Sequence, residues 1–266
     1  MGHVLNRTHD LNRIRIRSSV VSSATARPAP RTANTRAGRF WRSSVGKKVA
    51  VAVSGSILVG YLVLHMLGNL TIFAGAGASD GAQIDRYSEF LRTVGGPLLP
   101  NSWLLWAVRL LLITALVVHV VGIVQLRRRN VSARPAGYKP GRVGRTWSSR
   151  SMTITGPLLL AFIIFHILQF TTLTIQVDGD MREGAVYSNV FQAFQVWWVV
   201  ILYIAAVLAV GFHLRHGVWS VSQTLGIDSP QRNGRLRAGA NLLTLLVVGG
   251  FVSVPVFVWT GVIPAP

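Results

Sequence analysis

The chain has 266 residues, half of them hydrophobic, with no cysteine and a formal net charge of +19. A mean hydropathy of +0.45 and long uncharged runs exclude an ordinary soluble domain and point to a polytopic membrane protein. The missing cysteines exclude disulfides, thiolate-ligated iron–sulfur clusters and covalent c-type haem within this chain. Basic residues cluster between the apolar runs, which is a topology signal rather than a nucleic-acid-binding surface.

In chain order, residues 1–43 are rich in Arg, Ser, Ala and Pro and carry one acidic residue, Asp10. This segment is expected to be a basic, disordered cytoplasmic tail. Its composition also resembles a mitochondrial transit peptide, a reading that the bundle after it disfavours. His3 and His9 fall in this tail, away from any span. Residues 44–266 are expected to form one all-α domain of five transmembrane helices in a bundle. The spans run about 47–73, 103–126, 152–175, 191–214 and 239–260, each near the ~20 residues that cross a bilayer. Trp103, Trp106, Trp197, Trp198 and Trp259 lie towards span ends, where an aromatic belt is expected.

Orientation follows from the charges. The chain through Lys48 holds eleven Lys and Arg, the 127–150 segment holds eight, and Arg215, Arg232, Arg235 and Arg237 follow the fourth span. The two remaining loops hold only Arg86, Arg92 and Arg182, together with six of the eight acidic residues. The positive-inside rule then predicts a cytoplasmic N-terminus and an external C-terminus.

Four histidines sit singly in four spans: His65, His119, His166 and His213. At ~1.5 Å per residue, His65 lies about 27 Å beyond Lys47 and His166 about 24 Å beyond Arg150, both in the outer half. His119 lies about 12 Å before Arg127, and His213 is close to Arg215, both nearer the inner side. The sequence thus predicts an outer pair, His65 with His166, and an inner pair, His119 with His213. Two bis-histidine b haems, one above the other, would occupy all four rings in a bundle core. A lone membrane histidine can instead hydrogen-bond to a neighbour or face a polar cavity. For four rings matched in two layers, haem ligation is the stronger reading.

Other residues are read around these pairs. His216 shares a face with His213 and sits closer to the interface, where it could bond a haem propionate or a quinone. Gly55 and Gly156 each lie ten residues before an outer ligand, at a level suited to close approach of the inner haem or to ordinary small-residue packing. Arg109, the one charge well inside a span, is placed to meet a propionate of the outer haem, or to snorkel to the outer headgroups.

The segments SGSILVGYLVLHMLGN around His65, LVVHVVG around His119, TGPLLLAFIIFHILQF around His166 and GFHLRHGVWSVSQTLG around His213 carry a family resemblance. In order, spacing and depth they resemble the five-helix, di-haem cytochrome b membrane anchor of bacterial succinate:quinone oxidoreductases and quinol:fumarate reductases, over about residues 40–260. The resemblance implies an electron-transfer subunit in the bacterial cytoplasmic membrane. Its expected partners are an iron–sulfur subunit, a flavoprotein subunit and membrane lipid. Electrons would pass through the two haems to a quinone, commonly menaquinone, near the external side. The basic inner segments would dock the iron–sulfur subunit, and nothing in the chain suggests a flavin or dicarboxylate site.

A quinone site needs a proton-exchanging group. The resemblance points to Glu89 in DRYSEFLRT, with Tyr87 and Arg92 as neighbours; a solvated loop carboxylate is the alternative. Some quinol:fumarate reductases carry a glutamate two residues before the fourth ligand, where this chain has Gly211. A compensating proton path through that position is therefore not expected here. Among rivals, a b561-like di-haem reductase usually needs six spans. A transporter would show internal symmetry and broken helices, which the sequence lacks.

Overall fold

Apolar runs in a bilayer must satisfy every backbone N–H and C=O within the chain, and helices do so residue by residue. The computed structural model describes residues 35–75, 82–133 and 147–266. The tail to residue 34, with His3, His9 and Asp10, lies outside these residues, as do Asp80, Arg134, Lys139, Arg142 and Arg145.

Among the described residues every regular element is helical. They are α1 (Arg36–Arg42), α2 (Ser44–Leu70) with a 3-10 turn at Thr71–Ala74, α3 (Gln83–Thr93), α4 (Trp103–Ser132), α5 (Trp147–Phe170), α6 (Val186–Phe194), α7 (Trp197–Thr224) and α8 (Asn233–Trp259). Five segments among these residues are long and apolar enough to span a membrane: Ser44–Ala74, Trp103–Ser132, Ser151–Phe170, Trp197–Thr224 and Asn233–Trp259.

Several boundaries differ from the sequence expectation: α4 runs on to Ser132 and α8 begins at Asn233, and three further differences have a local reason. Arg36–Arg42, inside the segment expected to be irregular, is helical. Thr35 caps it by accepting from Gly38 N at 3.2 Å, and Ser43 caps α2 by accepting from Gly46 N at 2.8 Å. The third span stops at Phe170 rather than about 175, because Leu173 turns the chain with φ of 53°. The expected 191–214 span is divided. Its first residues end α6, and Val196, extended with ψ of 110°, breaks the chain before α7 begins at Trp197 and runs on to Thr224. The apolar run continues on both sides of this break, with Gln192 and Gln195 inside it.

α7 is the axis of the bundle. Its buried residues Val199, Val200, Tyr203, Ala206, Val207, Gly211 and Leu214 recur every three or four positions, one face of a 3.6-residue helix. α7 packs against α8, α5 and α2, while α4 packs on α2 and α8 also touches α2. The opposite faces carry exposed large apolar side chains such as Leu111, Ile154, Leu208 and Leu245. Such faces would drive aggregation in water and suit lipid contact.

The two ends of the bundle differ. One carries α3, α6 and the exposed rings of Trp103, Trp197 and Trp259. The other is basic. There Arg129 donates from Nη1 to the Arg42 carbonyl at 2.9 Å, Arg215 donates from Nε to Asn241 Oδ1 at 2.8 Å, and Arg237 lies 4.6 Å over Trp219. These contacts tie the end of α1 to the C-terminal part of α4, and the first turns of α8 to the C-terminal part of α7.

Gly211 faces α8 rather than the interior between α4, α5 and α7. A Cβ built there would lie 2.8 Å from Val248 Cγ2 and 3.6 Å from Thr244 Cγ2. Gly211→Leu is therefore expected to force α7 and α8 apart and destabilise the fold by about 1–3 kcal/mol. Thermal unfolding in detergent would show it; an unchanged midpoint would mean that the two helices do not meet closely there.

Candidate functional site

The four expected histidines come together in two layers, paired as their depths predict. The His65 and His166 ring centroids are 5.8 Å apart, and those of His119 and His213 are 6.3 Å apart. The first pair faces across from α2 to α5, near the α3/α6 end. The second faces across from α4 to α7, nearer the basic end. All four rings are half-buried, so each borders unfilled or lipid-accessible space.

Hydrogen bonds decide which ring nitrogen carries the proton. His119 Nδ1 lies 3.2 Å from the Val51 carbonyl, which can only accept. His213 Nδ1 lies 3.2 Å from Thr155 Oγ1, and that hydroxyl already donates to the Ser151 carbonyl at 2.9 Å. His166 Nδ1 lies 3.2 Å from the Tyr203 hydroxyl, which donates to Gln169 Oε1 at 2.7 Å. For His119 the acceptor has no proton to offer, so Nδ1–H is the donor and Nε2 keeps its lone pair. For His213 and His166 the same holds while the Thr155 and Tyr203 hydroxyl protons stay on the Ser151 carbonyl and Gln169 Oε1. The fourth ring, His65, stacks on Tyr61 with centroids 5.5 Å apart and meets Phe251 at 5.7 Å.

The supporting residues Thr155, Tyr203 and Gln169 were not expected from the sequence. Tyr203 is a lone polar side chain in an apolar run, the same signal that marks the histidines, whereas Thr155 and Gln169 lie among other polar residues near the two ends of their span. Gln169 is fully buried and Thr155 and Tyr203 nearly so.

Glycines set the approach at one ligand. A Cβ at Gly55 would lie 3.1 Å from His119 Cε1, so Gly55 makes room for the ligand ring itself. A Cβ at Gly156 would meet nothing within 4 Å, so that position borders open space rather than a packed neighbour.

The remaining expected residues lie around the pairs. Arg109, half-buried on α4, holds its guanidinium 4.9 Å over the exposed Trp106 ring and is within electrostatic reach of Tyr61. His216 is half-buried one turn beyond His213. Glu89 stands on the exposed face of α3, and Tyr87 on the same helix packs against Gly68 of α2. Arg92 pairs with Glu183 at 3.6 Å, a surface contact of small energetic weight.

α3 and α6 are joined at the end that covers the first pair. Asp85 accepts from the Tyr187 amide at 2.9 Å, supplying from α3 a cap that α6 lacks in its own sequence. The Tyr187 hydroxyl donates to the Pro264 carbonyl at 2.9 Å, and burial raises its pKa above the ordinary phenol value.

Five spanning helices around two layers of facing imidazoles define a multi-pass membrane protein with paired-histidine sites in its core. The sequence profile of the succinate dehydrogenase/fumarate reductase transmembrane subunit matches residues 125–257, and the chain belongs to that family. The match contains His166 and His213; His65 and His119 precede it. It also sets aside the b561-like alternative. No curated protein and no solved structure matches the chain.

Asp85→Ala is expected to remove the α6 cap, destabilising that helix by about 0.5–2 kcal/mol. Hydrogen exchange should quicken at the Tyr187 amide and along α6 while α4 stays protected. Uniform exchange in variant and parent would overturn the cap.

Proposed function

We propose that this chain is the electron-transfer anchor of a succinate:quinone oxidoreductase, with two b haems held by His65 with His166 and by His119 with His213. The observation that carries the reading is the set of Nδ1 hydrogen bonds. Membrane-buried imidazoles with Nδ1–H committed to an acceptor and Nε2 left bare are poised as metal ligands, and such outer partners fix ligand tautomer and orientation. Ring spacing is compatible with it: centroids 5.8 and 6.3 Å apart would let His65 with His166, and His119 with His213, hold one metal ion between each pair. Haem iron held this way supplies one-electron transfer at potentials set by its ligands and their surroundings.

The chain's own residues do the rest. Apolar helix faces exclude water from both layers. Arg109 and His216 are the propionate partners of this reading, with His216 also near enough to the interface to meet a quinone. The basic end faces the cytoplasm and docks the iron–sulfur subunit, which in turn binds the flavoprotein; lipid surrounds the bundle in a bacterial cytoplasmic membrane. Quinone, expected to be menaquinone, is reduced near the α3/α6 end on the external side. Glu89 exchanges its protons there, with Tyr87 and Arg92 beside it.

The reading is tested by haem content and the reduced-minus-oxidised spectrum of the complex purified from native membranes. Two b haems per chain, reduced by succinate, are expected. His65→Ala or His166→Ala should lose one haem, and His119→Ala or His213→Ala the other. Gly55→Leu should lose the same haem as His119→Ala, because the new side chain occupies the ring's position. Absence of haem from the parent complex would overturn the proposal.

With Gly211 where a proton-carrying glutamate could stand, external quinone reduction is expected to draw on the membrane potential. An uncoupler should then change the rate of succinate-driven quinone reduction several-fold in intact cells or vesicles, and an unaltered rate would sink the idea.

A further inference from the structure

The three supported histidines do not rest on equivalent partners. His119 bonds to a backbone carbonyl, which cannot reverse its role. His213 bonds to Thr155, whose hydroxyl is tied one turn back to its own helix at Ser151. His166 alone rests on a chain of two side chains from different helices: Tyr203 on α7, then Gln169 on α5.

Such a chain has two polarities. In one, Gln169 Oε1 accepts from the Tyr203 hydroxyl, whose oxygen accepts from His166 Nδ1–H, and Nε2 has a free lone pair. In the other, the amide is turned by half a rotation and its N–H donates to the Tyr203 oxygen. The phenol then donates to Nδ1, the ring proton sits on Nε2, and that nitrogen cannot bind iron. The observed contacts are those of the first polarity. Tyr203 Oη lies 2.7 Å from Gln169 Oε1, while Gln169 Nε2 has no partner among the described residues. Burial removes water as a competing partner, so the amide orientation controls the whole chain.

We infer that Gln169 and Tyr203 are positioning residues that hold His166 in its ligating tautomer and set the reduction potential of the His65/His166 haem independently of the other. This rests on the proposed ligation of that pair. The physical cause is electron donation. A hydrogen bond accepted from Nδ1–H makes the imidazole a stronger donor at Nε2, which favours the oxidised iron and lowers the potential. The Tyr203 hydroxyl is a better acceptor because its own proton is held by Gln169.

Tyr203→Phe, Gln169→Leu and the double variant would be purified as the whole complex. Haem content and a potentiometric titration resolving the two haems would be measured for each, with low-spin ferric signals read by paramagnetic resonance. Tyr203→Phe should retain both haems, with the midpoint potential of one raised and that of the other unmoved. Gln169→Leu should move the same haem in the same direction, and Gln169→Glu, which keeps an acceptor oxygen, should reverse the shift. Because Gln169 acts through the phenol, the double variant should titrate like Tyr203→Phe alone. Two unmoved potentials with full haem content in Tyr203→Phe and Gln169→Leu would overturn the inference and leave the haem ligation standing. A double variant shifted well beyond Tyr203→Phe would also overturn it, since Gln169 would then act by another route. A parent complex without haem would instead overturn the ligation itself. Should Tyr203→Phe fail to assemble, Gln169→Leu and Gln169→Glu decide the question by the same titration.

Discussion

A histidine in hydrocarbon has two ring nitrogens to satisfy and no water to do it. This requirement organises the interior of the protein. Three rings place Nδ1 on an oxygen: the Val51 carbonyl, which can only accept, and the Thr155 and Tyr203 hydroxyls, whose own protons go to the Ser151 carbonyl and Gln169 Oε1. Each such bond transfers the demand to Nε2. A bare, membrane-buried lone pair is costly unless a metal or donor meets it. Rings paired with centroids 5.8 and 6.3 Å apart bring that demand together in each layer, which is what the proposed ligation rests on.

The helices are arranged to keep those rings apart and yet opposed. α2 carries α4 on one side, and α7 carries α5, so each layer forms where one of these pairs faces the other. α8 adds no histidine to this set; it closes against α7 at Gly211 and against α2 where Gly250 meets Met66, and it brings Phe251 to the His65 ring. That packing explains why a small residue suits position 211. The site faces Val248, not the interior, and a long acidic side chain could not be added without separating two helices.

Much of this was legible in the sequence, and the legible part was the part set by the bilayer. Span number, the charge asymmetry and the pairing of His65 with His166 and His119 with His213 all follow from apolar length and depth along a helix. The break at Val196 was not read from the sequence: the polar residues beside it, Gln192 and Gln195, fall within an apolar run that continues on both sides. The α3–α6 clasp through Asp85 was hidden for another reason: its partner is 102 residues away in the chain. Tyr203 stands out as a lone polar residue in an apolar run, while Thr155 and Gln169 sit among other polar residues near the ends of theirs. What the sequence lacks is their register against the histidines of other helices, which packing alone supplies. Glu89, picked from a loosely aligned loop, stands on the exposed face of its helix, so burial gives it no distinction from a solvated carboxylate.

The register has a regularity of its own. α2 offers His65 to one layer and the Val51 carbonyl to the other. α5 offers His166 to the first layer and Thr155 to the second, while α7 offers His213 to the second and Tyr203 to the first. Three helices thus each give a ring to one layer and an acceptor to its counterpart. Tyr203 and His213 are ten residues apart on α7, which separates the two levels by about 15 Å of helical rise. Sliding any one of these helices would disturb a ring in one layer and an acceptor in the other. The two sites are therefore fixed in depth by the same helices, while their different acceptors, a backbone carbonyl and a threonine against a phenol–amide chain, leave their electronic surroundings free to differ.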